Sequence, residues 1–209
     1  MRRTKEDART TKEDILNAAV EIFAAKGVAK TTLDEIACKA HVTRGAIYWH
    51  FKNKTEIFDA LHERLHRPLV DMIMQDMEKD HPEPLQQLQD LCIKLLLDLQ
   101  NNPQKKQALT LFLTKCDYSG DLAPYQEKHR AQKSESMKLF SRYFERAKKK
   151  HILPAESDPE LLALSINCFL KGIAVEYLWN PESFHRDDRG VRLIRLFFKN
   201  MWHAAAEET

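Results

Sequence analysis

The sequence predicts an all-α protein, and three observations carry that reading. Only five glycines and eight prolines occur in 209 residues, which leaves little material for hairpin turns. Apolar residues recur three and four positions apart over most of the chain, the spacing of one helix face, and no strand is evident. Helix-start signals repeat as well: Thr10 with Glu13, Thr32 with Glu35 and Asn53 with Glu56 all have capping-box spacing.

The pattern amounts to about nine helices. It divides into an N-terminal three-helix head, residues 1–55, and a larger helical body, residues 56–209. With 43% hydrophobic and 31% charged residues, the chain has the balance of a folded protein and the length to bury a sizeable core.

The first helix follows Thr10, buries Ile15, Ala18, Ala19, Ile22 and Phe23, and stops at Gly27, a residue suited to the left-handed C-cap position. Thr32 opens a short second helix with Leu33, Ile36, Ala37 and Ala40 inward. After the tight turn Ala40-His41-Val42, Thr43 caps a third helix that runs to about His50 and points Ala46, Ile47 and Phe51 inward. Two short helices joined so tightly make a helix-turn-helix. Asn53 then starts a fourth helix carrying Ile57, Phe58, Leu61, Leu65, Leu69, Met72 and Ile73, with a kink expected at Pro68.

In the body, one helix lies between Pro84 and Pro103, another over residues 108–116, and a long one over residues 124–150. Lys148, Lys149 and Lys150 end the long helix, where cations suit the negative pole of the helix dipole. Residues 159–179, PELLALSINCFLKGIAVEYLW, and residues 191–202 are apolar on more than one face, so these last two helices should bury a second face in another subunit. Gly172 would allow close helix approach there.

Net charge is only +2 overall. Residues 1–54 nevertheless hold 11 Lys and Arg against 7 Asp and Glu, while the rest hold 22 against 24. The basic excess sits at one end, which suggests an anionic partner for that end. Cys38, Cys92, Cys116 and Cys168 are too far apart for a zinc ribbon or redox motif and are expected to be buried thiols in a reducing cytosol. The start MRRTKEDART has no apolar signal region and no run has membrane-spanning length, so a cytoplasmic protein without membrane attachment is expected.

The stretch VTRGAIYWHFKNK, residues 42–54, concentrates groups that read DNA. The second helix of a helix-turn-helix presents its first turn to base edges in the major groove. Arg44 can pair with guanine through two hydrogen bonds, and Thr43 can reach a base methyl or a phosphate. Gly45, without a side chain, lets the backbone approach. The polar tips of Tyr48 and His50 can reach phosphates, Lys54 adds salt-sensitive charge, and Trp49 and Phe51 are expected to hold the short helix against the head. Arg2, Arg3 and Lys5 form an arm suited to minor-groove or phosphate contact.

The run TTLDEIACKAHVTRGAIYWHFKNKTEIF resembles the head of the tetracycline-repressor (TetR) family over residues 10–58. LFLTKCDYSG and YLWNPESFH resemble the AcrR-type subset that represses multidrug efflux pumps. One departure is His41, where the family usually has glycine; histidine tolerates positive φ better than most residues. The resemblance implies a ligand-responsive repressor, homodimeric through its last two helices, that binds a palindromic double-stranded operator and is released by lipophilic or cationic small molecules. Its DNA-binding residues would be Thr32, Thr43, Arg44, Gly45, Ala46, Tyr48, Trp49, His50 and Lys54. Its ligand would meet Leu65, Leu69, Leu91, Leu95, Leu109, Phe112, Leu113, Phe140, Phe144, Ile166, Leu170, Ile173 and Tyr177, with Glu176 placed to attract a cation in an apolar neighbourhood. No cofactor or catalytic residue is implied.

A rival reading comes from His62-Glu63-Arg64-Leu65-His66, which spells H-E-x-x-H. On a helix this places two imidazoles on one face beside a glutamate, the arrangement of a zinc-dependent hydrolase. No H-x-x-G-x-x-H extension follows, and a third ligand would have to be a distant residue such as Glu83.

Overall fold

The computed structural model describes residues 5–79 and 81–203. Among these there is no strand, and nine α-helices have seven residues or more. In order they are α1 (Lys5–Lys26), α2 (Leu33–Lys39), α3 (Arg44–His50), α4 (Lys54–Lys79), α5 (Pro84–Asn101), α6 (Pro103–Thr110), α7 (Ala123–Lys149) and α8 (Pro159–Trp179), then the four-residue α9 (Glu182–His185) and finally α10 (Arg189–His203). A π-helical turn, Leu111–Lys115, continues α6. The all-α expectation and the run of helices agree with this architecture.

The chain forms two compact units. The head unit comprises the described residues of Met1–His66 together with Asn102–Lys128, and the body unit comprises Arg67–Asn101 and His129–Thr209. The core of the head unit is Ile15, Ala19 and Phe23 of α1, Ile36 of α2, Ile47 of α3 and Ile57, Phe58 and Leu61 of α4, closed by Ala108, Leu111 and Leu122. Lys115 donates to the carbonyl of Ala24 at 2.8 Å, satisfying one of the last-turn carbonyls that α1 leaves open. The core of the body unit draws on Leu88, Cys92 and Leu96 of α5, Phe140 and Phe144 of α7, Ile166 and Tyr177 of α8, and Ile194 and Phe198 of α10. Gly190 lets α10 begin against α5, since a Cβ there would lie 2.6 Å from Leu96 Cδ2 and 3.0 Å from Phe184 Cδ1.

Two of the three start signals work as read. Thr32 and Glu35 form a reciprocal capping box, and Asn53 Oδ1 accepts from the Glu56 N–H at 2.9 Å. Thr10 does not cap. Its hydroxyl donates to Glu6 O at 3.2 Å inside α1, which begins five residues earlier because Lys5-Glu6-Asp7-Ala8-Arg9 are themselves helix-compatible and put acids at the positive pole. The helix read over residues 108–116 likewise begins earlier, at Pro103, with Asn102 Oδ1 accepting from Lys105 N at 3.1 Å. Helix α4 runs through Pro68 as one element. Arg2 and Arg3 of the proposed arm lie outside the described residues.

Glu35 also pairs with Lys26, and that bond, with those from Thr32, lowers its carboxyl from the ordinary 4.5 to about 2. A depressed carboxylate stabilises the fold above its unfolded pKa and loses that contribution as pH falls toward the folded value. Melting curves of Glu35→Gln and the parent should therefore differ above pH 5 and converge as pH falls from 4.5 to about 2.

The cysteines correct the sequence reading. Cys38 and Cys168 are exposed, Cys116 is half-buried and only Cys92 is buried. Burial pushes the Cys92 thiol up to about 12, so almost no reactive thiolate exists at neutral pH. With a maleimide, Cys38 should react in the native protein and Cys92 only after unfolding, as read by mass spectrometry of the labelled peptides.

Candidate nucleic-acid interface

The turn between α2 and α3 fixes where α3 starts. Val42 N–H donates to Ala37 O at 3.0 Å and His41 N–H to Cys38 O at 3.2 Å, the paired bonds of a Schellman C-cap. That motif needs a left-handed residue, and His41 supplies it at φ 55. The conformation costs a non-glycine residue about 1 kcal/mol. Two captured carbonyls and the packing of Val42 on the head core hold it in place.

Thr43 then caps α3, its Oγ1 accepting from Ala46 N at 3.1 Å. With a period of 3.6 residues, a helix this short turns only Ile47 and the following Phe51 fully inward, and both are buried. Thr43, Arg44, Gly45, Tyr48 and Trp49 consequently face solvent together, with Ala46 and His50 half-buried beside them. Trp49, expected to pack against the head, is instead 71% exposed and meets the edge of His50 at 4.5 Å. The inward positions are already taken by Ile47 and Phe51.

Arg44 is held in place. Its Nη1 donates to Asp34 Oδ2 at 3.3 Å, its Nη2 donates to Tyr48 Oη at 3.2 Å, and the guanidinium lies 5.6 Å from the Tyr48 ring centroid. The Thr32 hydroxyl is spent within its own cap, donating to Glu35 Oε2 and accepting from Glu35 N. Lys54 spends two donors on Ala29 O at 2.8 Å and Thr31 O at 3.3 Å, pinning the start of α4 to the loop before α2. Sequence reasoning passed over Asp34 and the exposed Lys52. The basic K-N-K exit signalled Lys52, whereas nothing in the pattern marked Asp34 as the partner of Arg44.

Gly45 has ordinary helical φ, and a Cβ added there would meet only Thr43 Oγ1 at 3.8 Å. The protomer itself does not require glycine at this position. Gly45→Ala should raise the thermal stability of the head, by about 1 kcal/mol from helix propensity, and yet weaken DNA binding in anisotropy titrations.

The residues read as ligand-binding fall in both units. Leu65, Leu109, Phe112 and Leu113 belong to the head unit. Leu69, Leu91, Leu95, Phe140, Phe144, Ile166, Leu170, Ile173, Glu176 and Tyr177 belong to the body unit. Phe140, Phe144, Ile166, Ile173 and Tyr177 are buried in its core, and burial raises the Tyr177 phenol. Glu176 is exposed in the protomer. A cleft of about 730 Å³ in the head unit is lined by other residues, among them Phe51, Asp59, Tyr125 and Lys128.

The H-E-x-x-H stretch lies in α4 with the His62 and His66 rings 4.3 Å apart. His62 is buried against Phe112, while His66 and Glu63 face solvent and Glu83 belongs to the other unit. Among the described residues no group of three or more His, Cys, Asp and Glu is placed to hold a metal ion.

Comparison with known proteins gives the same answer for both parts of the chain. Residues 15–61 match the family described as bacterial regulatory proteins, tetR family. Residues 83–203 match the C-terminal region of MAATS-type transcriptional repressors. This chain is a member of the TetR family. A TetR-family relative, the HTH-type transcriptional repressor BepR of Brucella suis biovar 1, is 32% identical over 96% of each chain. TtgR of Pseudomonas putida, an HTH-type transcriptional regulator, is 31% identical over 88% of this chain and 87% of its own. The crystal structure of NalD, the secondary repressor of the MexAB-OprM multidrug efflux pump in Pseudomonas aeruginosa, superposes with a TM-score of 0.76 at 29% identity, covering 94% of this chain and 98% of NalD. A SmeT–triclosan complex gives a TM-score of 0.75 at 27% identity over 90% of each chain.

Proposed function

We propose that this protein is a ligand-responsive transcriptional repressor that binds a palindromic double-stranded operator as a homodimer and controls a multidrug efflux system. The exposed face of α3 carries this reading. Thr43, Arg44, Gly45, Tyr48 and Trp49 share a solvent-facing surface fixed from behind by Ile47 and Phe51, the arrangement a reading helix needs in a major groove. Residues 1–55 would read DNA, with residues 102–128 completing the core beneath them, and residues 56–209 would serve ligand binding and dimerisation. The protein would act in the cytoplasm, where its operator lies.

The inducer would be a lipophilic or cationic small molecule entering among the apolar residues of the body. Relatives named as efflux repressors, and SmeT as a triclosan complex, support this class. Because α4 contributes to both units, displacement of its body end has a covalent route to the head.

The second subunit would cover α8 and α10. Leu161, Leu164, Cys168, Gly172 and Trp179 form an exposed stripe on α8, and Leu193 and Leu196 are exposed on α10. An added Cβ at Gly172 meets nothing within the protomer, so the close approach expected there is not an internal one. Helix α8 is long and apolar enough to cross a membrane by composition. Its Lys171 and Glu176 are exposed, which suits a polar-rimmed protein interface better than acyl chains.

The test is fluorescence anisotropy on DNA upstream of the protein's own gene, at two salt concentrations, with unrelated DNA as control and lipophilic dyes added afterwards. Sequence-selective binding released by a dye is expected; equal weak binding to both DNAs would overturn the reading. Sedimentation read with Cys168 alkylation tests the dimer, since a covered α8 protects that thiol on association.

A further inference from the structure

The solvent-facing pair between α2 and α3 has a consequence for sequence selectivity. Asp34 lies in the first turn of α2, and its Oδ2 accepts from Arg44 Nη1 at 3.3 Å, while Tyr48 Oη takes one hydrogen of Nη2 at 3.2 Å. Both members of the ion pair are exposed, 58% for the Arg44 side chain and 65% for that of Asp34. The pair does not serve the core. Each terminal nitrogen carries a second hydrogen beyond the one engaged, so the guanidinium keeps donors that the O6 and N7 of guanine can accept.

We propose that Asp34 is a specificity-determining positioning residue, which holds the Arg44 guanidinium in its reading orientation and disfavours its transfer to phosphates. An unrestrained arginine at a reading position pairs with any nearby phosphate, which strengthens binding to every sequence alike. A carboxylate on the same guanidinium cancels much of that attraction and repels phosphate oxygens. It leaves intact a directional, two-bond contact with the matching base, whose edge carries no net charge. Tyr48 contributes from the other side, through its hydroxyl and its ring. The proposal rests on the DNA-binding reading above.

The experiment begins with the parent protein selecting a preferred duplex from a random-sequence pool. That duplex and a scrambled duplex of the same composition are then titrated by anisotropy with the parent, Asp34→Asn, Arg44→Ala and the double variant. Asp34→Asn is expected to tighten binding to the scrambled duplex and to lower the preferred-to-scrambled ratio by roughly two- to fivefold, the range of exposed charge pairs. The slope of log K against log salt should steepen by about one. In the Arg44→Ala background the same substitution should leave the ratio unchanged.

Equal tightening on both duplexes, or the same loss of ratio without Arg44, would overturn the proposal by reducing Asp34 to general repulsion. Failure of the parent to select any duplex would instead remove the DNA-binding reading, and the proposal with it. Melting curves are taken in parallel. Should Asp34→Asn lose its fold, Asp34→Ser, also suited to a first helical turn, takes its place in the cycle.

Discussion

Phe58→Ala should destabilise the head unit by about 3–5 kcal/mol, the usual cost of removing a fully buried phenyl ring. Phe58 has no exposed surface and lies in the first half of α4. Its ring centroid is 4.9 Å from that of Phe112, 6.0 Å from Tyr118 and 6.3 Å from Tyr125, the last two in edge-to-face geometry. These partners come from a segment of chain far from α1, α2 and α3, so the substitution removes one of the contacts that join the two parts of the unit. Its neighbours are themselves rings that cannot collapse into the space, which favours the upper part of the range. Phe58→Leu, which keeps most of the volume, should cost under about 1.5 kcal/mol. Urea unfolding followed by circular dichroism measures both. Equal losses for the two variants would show that the aromatic contacts, and not the filled volume, hold the unit.

Arg44→Ala should leave thermal unfolding nearly unchanged and lower affinity for the selected duplex roughly five- to hundredfold, the discrimination expected of one bidentate base contact. The residue is exposed and makes its contacts with Asp34 and Tyr48 at the surface, so no core packing is lost. If Arg44 reads a base, the loss falls mainly on the selected duplex. A loss shared equally by scrambled DNA, with a salt slope reduced by about one, would assign it to a phosphate.

Much of the head was legible because its signals are local. A Thr three residues before a Glu, a glycine after a helical run and a histidine in a tight turn each act within one turn of helix. The structure shows the Thr32 box, Gly27 at φ 84 and His41 at φ 55. Thr10 had the same spacing and did not cap, because the preceding residues were also able to form helix and nothing stopped them. The exposure of Trp49 was hidden for another reason. Aromatic character says a side chain can be buried, while the phase of a seven-residue helix decides which ones are. The ligand residues were the least legible. An apolar residue at helical spacing serves a core as well as a pocket, and Phe144 and Ile166 are packed in the body core. The Arg44–Asp34 pair was invisible for want of any period linking positions ten apart across a turn.

The head unit is written in two separated stretches, with Ala108, Leu111 and Leu122 completing a core begun by α1. During synthesis the nascent chain therefore emerges with an unfinished core, and the whole intervening α5 is made before the closing residues appear. At roughly 5–20 residues per second that interval lasts on the order of several seconds. Over that time Phe23, Ile36 and Phe58, each without exposed surface in the finished protein, have no complete shelter. The order of translation thus leaves these apolar segments uncovered until the second stretch is made. It also means that a messenger truncated before the second stretch encodes α3 without the residues that complete the core beneath it.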